Sequence, residues 1–249
     1  MSWDERKAEL ADELVCRLYE TGTIRTWLRD QPEGWEIVSG RWSPFYVMMR
    51  NAPSDPDLFR FLVDSGSELI QNELPDANYI VGLAATGIPL AAAIGYKLGM
   101  PMGFNRKLPN VRSLDDLDRE VHQYGGHSLV EGAFAPGQRI VIFDDVVSHF
   151  DSKEIAMRQL SLELKRREVD DITIEGVAVL VDRGNDAYER AAQFGVPLRA
   201  LAVLRDRQMH ALKGVASDRE VEVVSEYVRD PIPFQDESVR QDLVAEAMP

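Results

Sequence analysis

Cysteine occurs once, at Cys16. A single thiol excludes an intrachain disulfide and a thiolate metal cluster, and it suits a reducing, cytoplasmic setting. Lysine is nearly as scarce, with six residues, and the formal net charge is −14. No basic run interrupts the chain. A nucleic-acid binder carries a basic face, so nucleic acid is not the expected partner. No apolar stretch is long enough to span a bilayer, so no membrane partner is expected. The segment Met1–Glu9 is charged where a secretory leader is apolar. No internal repeat or low-complexity tract appears.

What is present fits one α/β domain with at most a small appendage. Hydrophobic residues make up 45% of the 249, enough for a real core. Residues 4–20 place Leu10, Ala11, Leu14 and Leu18 on one helical face, closed by Thr21-Gly22. Gly40–Arg50 is aromatic and reads as a strand after a turn. Ser54 opens a helix reaching about Glu73, with an early proline and acids in its first turn. Short apolar strands are expected at Tyr79–Val81, Pro101–Phe104, Arg139–Phe143, Ile172–Leu180 and Leu198–Leu204. Helices are expected at Ile88–Leu98, Ser152–Arg167 and Ala187–Phe194. This alternation predicts a mainly parallel sheet with helices on both faces. Residues 107–127 read as a polar connection with no clear core face. The stretch from about Val215 is acidic, carries Pro231 and Pro233, and reads as either docked or free.

The chemistry concentrates in RIVIFDDVVSHFDSKEIAM, Arg139–Met157. A buried strand leads to two adjacent carboxylates, Asp144 and Asp145, then to a short loop and a helix. Ligands of open α/β sheets bind beyond the carboxyl ends of the strands. Paired acids there can hold vicinal hydroxyls or approach a magnesium ion, and the helix start offers N–H groups to a phosphate. Taken alone, two acids after a strand are equally a solvated turn.

The pair has company. SGRWSPFY (Ser39–Tyr46), VGLAATGIPLA (Val81–Ala91), Arg106-Lys107, YGGHSLVEG (Tyr124–Gly132) and VDRG (Val181–Gly184) stand with it in order. Together these segments resemble the type I phosphoribosyltransferase family, in its orotate phosphoribosyltransferase branch. The resemblance spans roughly residues 8–205. It implies a phosphoribosyltransferase-like domain over 1–214, with an N-terminal hood over about 1–50 and a mobile loop. Residues 215–249 are left as an acidic C-terminal tail. It also implies a reaction: transfer of a 5-phosphoribosyl group from phosphoribosyl diphosphate to orotate, giving orotidine monophosphate and diphosphate. Magnesium would arrive with phosphoribosyl diphosphate, with no dedicated protein metal site, and the chain would form a homodimer.

Roles follow from the same resemblance. Asp144 and Asp145 would hold the ribose hydroxyls. Arg106 and Lys107 would neutralise the diphosphate; a solvated strand end is the plain reading of that pair. The backbone around Ala84, Ala85, Thr86 and Gly87 would cradle the diphosphate, small residues allowing close approach. Otherwise it is a helix-entry turn. Ser148 would contact the base, and His149, Ser152 and Lys153 would lie beside the 5′-phosphate. Arg183 would meet the orotate carboxylate or a carbonyl, or else pair with Asp182 or Asp186. Phe45 and Tyr46 would stack near the pyrimidine, or else belong to the core. The loop region holds Arg112, Arg119, His122 and His127 among Asp115, Asp116, Asp118 and Glu120.

One stretch departs from the family pattern. Its Thr/Gly-rich loop is Ser148-His149-Phe150-Asp151-Ser152 here, without glycine. Asp151 and Glu154 have the spacing of a capping box, which would put a carboxylate into the anion site. That reading favours a non-catalytic ligand-binding or regulatory protein. A transferase for another base is a third option.

Overall fold

The computed structural model describes residues 1–37, 40–123, 127–184 and 186–248, apart from the side chains of His122, Gln123 and Asp206. Ser39, Tyr124, Gly125 and Gly126 of the sequence motifs lie outside the described residues. The elements begin with α1 (Trp3–Glu20), β1 (Ile24–Thr26), β2 (Trp35–Glu36), β3 (Trp42–Ser43), β4 (Phe45–Val47) and α2 (Pro56–Glu73). Then come β5 (Tyr79–Gly82), α3 (Gly87–Leu98), β6 (Met102–Asn105), α4 (Leu114–Gln123), β7 (Val130–Glu131) and β8 (Arg139–Val147). The chain continues through α5 (Asp151–Arg166), β9 (Thr173–Asp182), α6 (Ala187–Gln193) and β10 (Leu198–Val203). It ends with α7 (Asp206–Ala211), α8 (Asp218–Arg229) and α9 (Glu237–Ala247). Among the described residues no helix is long and apolar enough to cross a membrane.

Contacts divide the chain into two compact units. One comprises Met1–Phe59, Arg183–Asn185 and Ala202–Pro249; the other comprises Arg60–Asp182 and Asp186–Leu201. The second is built on a six-stranded sheet of order β10-β9-β8-β5-β6-β7. The pairs β8–β9, β5–β8 and β5–β6 are parallel, and β6–β7 is antiparallel. Ile140 to Phe143 and Val177 to Val181 are fully buried. Their unbroken apolar runs reflect strands covered on both faces. This is the expected α/β architecture.

Three local expectations are corrected. Gly40–Arg50 is not one strand: Pro44 separates β3 from β4, and a 3-10 helix takes over at Met49–Ser54. Proline offers no N–H to a ladder. The cap of α2 is Asp55, whose Oδ1 accepts from the N–H groups of Asp57 and Leu58, each at 3.0 Å. Pro56 then takes the first helical position. Residues 107–127 are not a bare connection, because they contain α4. Ser113 Oγ accepts from Asp116 N at 3.1 Å, Asp116 Oδ2 accepts from Arg112 N at 3.0 Å, and Leu117 is fully buried. Its apolar face is too thin to stand out among the acids.

The first unit pairs β1 with β4 and β2 with β3, both antiparallel, and adds α1 and α7 to α9. The stretch after Val215 is therefore largely helical. Ser217 and Glu220 form a capping box at the start of α8. Glu220 is buried, yet it accepts from Tyr19 Oη at 2.9 Å, from Thr26 Oγ1, and from Ser217 Oγ at 2.7 Å. Desolvation pushes its pKa up, but the hydrogen bonds outweigh that and hold it below the ordinary carboxylate value. Glu220 thus ties α8 to α1 and β1.

Glu220→Gln should destabilise the protein by about 1–3 kcal/mol at neutral pH. The depressed carboxylate contributes stability above the ordinary range and loses it as pH falls through its folded value. The gap between variant and wild type should therefore narrow in acid. Urea midpoints taken from about pH 7 to about pH 3 check this; a gap constant with pH would sink the account.

Candidate active site

The acidic pair lies within β8, not beyond its end as the sequence reading placed it. Asp144 registers with Val179, and the ladder runs on to Val147 opposite Asp182. Two carboxylates inside a central strand need a counter-charge, and Lys153 supplies it from the first turn of α5. The Lys153 side chain is 3% exposed, and its Nζ donates to Asp144 Oδ2 at 2.7 Å and to the Val146 carbonyl at 2.8 Å. Lys153 thus turns inward onto Asp144. The Asp145 side chain keeps some surface but is closely enclosed. Burial first, then the charge of Asp144, holds its pKa well above the ordinary value, against the pull of Lys153.

A second wall comes from β5 and α3. Gly82 to Gly87 turn tightly between them, with a cis peptide between Ala84 and Ala85. Leu83 N donates to the Phe143 carbonyl at 2.9 Å, and Ala84 N donates to Asn105 Oδ1 at 2.7 Å. Asn105 Nδ2 donates in turn to Gln159 Oε1 at 2.8 Å, and Gln159 Nε2 donates to the Arg106 carbonyl at 3.0 Å. This chain of amides fixes the loop to β6 and α5. A Cβ on Gly87 would meet the Phe143 carbonyl at 2.8 Å and Asp144 Oδ1 at 3.1 Å. Glycine therefore lets the start of α3 lie against the acid. No side chain caps α3 at Thr86; Ile88 N donates to the Ala85 carbonyl and Pro89 has no N–H, so Gly87 N is the one N–H of the first three residues left to face an anion.

The capping expectation for α5 is wrong. The cap position belongs to Phe150, no side chain caps the helix, and Asp151 is already its first residue. Asp151 Oδ1 and Glu154 Oε1 instead meet the two terminal nitrogens of Arg190, each at 2.6 Å. Phe150 is fully buried and lies 6.3 Å from Phe194, ring to ring. It anchors the loop from below, where the family pattern has a glycine. His149 Nδ1 lies 2.7 Å from Asp186 Oδ1, while Ser148 is half-buried and Ser152 exposed. Arg106 is bound to Glu131 at 2.5 Å, and Lys107 is exposed.

The remaining expected residues belong to the first unit and form a cluster of their own. Phe45 is buried, and the Arg183 guanidinium carbon lies 4.5 Å from its ring centroid. Tyr227 of α8 meets Phe45 edge-on at 5.9 Å, and Tyr46 stacks on Trp35 at 6.2 Å. Arg183 Nη2 donates to Ser43 Oγ at 3.4 Å, while its buried Nε has no partner among the described residues. Burial lowers its pKa. Asp186, one of the alternative partners considered for Arg183, faces His149.

Sequence reading missed Asn105, Gln159 and Arg190. Asn105 directly precedes Arg106-Lys107 at a strand end, which is a usable signal. Arg190 carries none, because its partners are set by tertiary packing.

No family model matches the chain. It is similar to the orotate phosphoribosyltransferase of Aeropyrum pernix, 32% identical over 197 residues, or 79% of this chain and 92% of that protein. A crystal structure of the Aeropyrum pernix enzyme superposes with a TM-score of 0.60 at 25% identity, covering 81% of this chain and 97% of that one. Leishmania donovani UMP synthase shares the fold, with a TM-score of 0.70 at 20% identity, over 88% of this chain but 42% of that one.

Lys153→Met should cost about 3–5 kcal/mol, because it leaves the largely buried Asp144 carboxylate without its cation. Adding Asp144→Asn should return part of that loss, since the two side chains act as one pair. Urea unfolding of both singles and the double tests the coupling; strictly additive losses, to about 0.5 kcal/mol, would refute it.

Proposed function

Because the chain belongs to the orotate phosphoribosyltransferase family, we propose that it transfers a 5-phosphoribosyl group from phosphoribosyl diphosphate to orotate. The products are orotidine monophosphate and diphosphate. The observation that carries this reading is the Asp144–Asp145 pair, set in β8 between the uncapped starts of α3 and α5. The bond from the anomeric carbon to diphosphate breaks, with its electron pair leaving on the diphosphate. The base nitrogen donates a pair to the same carbon and releases its proton to solvent. Positive charge on the ribose and negative charge on the leaving group must both be held in place.

In this assignment Asp144 and Asp145 hold the ribose hydroxyls, and the backbone from Ala84 to Gly87 receives the diphosphate. Ser148, His149 and Ser152 border the 5′-phosphate, with the first N–H groups of α5. Arg106 and Lys107 add positive charge, Arg106 after exchanging Glu131 for substrate. In the first unit, Arg183 takes the orotate carboxylate, supported by Phe45, with Tyr46 nearby. A buried guanidinium with an unpaired Nε suits that task.

Magnesium is part of the proposal. Among the described residues no cluster of three or more ligating side chains forms. One carboxylate of the pair is already tied to Lys153. Such a donor set suits an ion held mainly by substrate oxygens and water, as magnesium prefers. When bound, it supplies charge neutralisation on the diphosphate. A homodimer is also proposed; a monomer by light scattering would remove that part.

The reading of a lost phosphate cradle rested on Phe150, on the acidic loop and on Asp151 as a cap; the last of these is changed. The Asp151 carboxylate goes to Arg190 instead, which counters the charge that would repel phosphate.

Orotate consumption, followed by ultraviolet absorbance with phosphoribosyl diphosphate and magnesium, should show turnover. No turnover beside a working control enzyme would overturn the assignment. Arg190→Ala, which exposes two carboxylates, should raise KM for phosphoribosyl diphosphate by roughly tenfold, about 1.4 kcal/mol. Asp151→Asn in that background should recover part of it. An unchanged KM in Arg190→Ala would refute the shielding role.

A further inference from the structure

Within the first unit, Gly184, the α7 region and α8 enclose a cavity of about 630 Å³. Arg205, Lys213, Arg229 and His210 all line it, and no described carboxylate does. The chain carries 42 acidic residues against 28 basic ones. Three permanent cations and a histidine around one cavity therefore run against its composition. His210 and Arg229 lie in the last turns of α7 and α8, and Lys213 in the short 3-10 turn after α7. Helix carbonyls favour a cation at each such end. That preference does not account for their facing one space, where mutual repulsion opposes them.

Arg205 is placed by a different device. Its Nε donates to the Gly184 carbonyl at 2.9 Å. Gly184 has φ of 83°, and a Cβ there would fall 2.9 Å from Arg205 Nε. The turn after β9 is thus shaped to receive this guanidinium at the cavity wall. Met209, Val221 and Val228 give the lining an apolar side. Much of the wall belongs to α8, beyond the stretch that resembles the transferase family. The cavity therefore stands independently of the proposed reaction.

We propose that this cavity binds a nucleoside phosphate. Its phosphate oxygens would be held by Arg205, Lys213 and Arg229, and its base would lie against Met209 and Val228. The Arg229 guanidinium fork matches phosphate oxygens, while Arg205, with Nε and Nη2 both on the Gly184 carbonyl, adds positive charge at the wall. The volume falls within the roughly 300–1,000 Å³ typical of small-molecule sites. A bare inorganic anion needs no apolar wall, and an apolar ligand needs no cations; this cavity has both.

The test uses the full chain with methyl-labelled methionine and ADP as the probe. The Met209 methyl resonance, assigned by its loss in Met209→Leu, reports on this cavity directly. Saturable movement of that resonance is expected with ADP. Lys213→Ala combined with Arg229→Ala, both at exposed positions, should weaken the apparent affinity at least tenfold. Asp145→Asn should leave it unchanged, which separates this site from the proposed transfer site. Three results would overturn the proposal: no movement at millimolar ADP, equal affinity in the double variant, or equal affinity for inorganic phosphate or adenosine alone.

Discussion

Two carboxylates in a strand at the centre of a sheet set the terms for everything around them. Burial costs them hydration and their like charges repel, which together hold Asp145 well above the ordinary carboxylate value. Lys153 answers from the first turn of α5, which must start almost directly behind β8 for its Nζ to reach Asp144. Only Ser148, His149 and Phe150 separate the two elements. So short a link leaves little freedom, and the fully buried Phe150 removes more by fixing its last residue in the core. The missing glycine therefore marks another way of holding the loop, through side-chain burial in place of backbone latitude.

That arrangement creates a second electrostatic problem. The first turn of α5 carries Asp151 and Glu154, which complement the helix dipole but crowd the place where a phosphate would sit. Arg190, from α6, spans both acids with its two terminal nitrogens. The Asp151 side chain is 55% exposed and that of Glu154 only 9%, so the fork is wet at one end and dry at the other. The drier contact is the stronger anchor. It holds the guanidinium where it can also screen Asp151. Lys153 and Arg190 thus divide the work: one cation neutralises the strand, and the other neutralises the helix start.

These arrangements differ in how plainly the sequence announces them. Ile140–Phe143 and Val177–Val181 are unbroken apolar runs, and buried parallel strands need nothing else to be recognised. The turn from Gly82 to Gly87 is legible because small residues there have one obvious use. α4 was not legible, since its face depends on Leu114 and Leu117 in a run of acids. Lys153 was misread for a physical reason. A lysine at a helix start normally extends to solvent, and its inward path follows only from knowing that Asp144 lies beneath. The capping box failed likewise: the spacing of Asp151 and Glu154 was correct, but a distant arginine offered both carboxylates a better partner than the backbone did.

The first unit shows why a resemblance ending near residue 205 stops short of the structure it describes. Phe45 lies in the stretch that resembles the family, yet its ring is held edge-on by Tyr227, which meets Phe234 in turn at 5.4 Å. Trp27 donates to the Leu243 carbonyl at 3.2 Å, and Gln235 bonds both the N–H and the carbonyl of Trp42. The N-terminal aromatics are thus packed by residues from the C-terminal helices. Arg183 depends on the same packing, because its guanidinium lies over Phe45 and finds no carboxylate among the described residues. A cation so placed keeps an unsatisfied donor, which costs about 1–3 kcal/mol until an acceptor arrives. The α8 contact that holds Phe45 in place therefore also fixes the ring over which Arg183 lies.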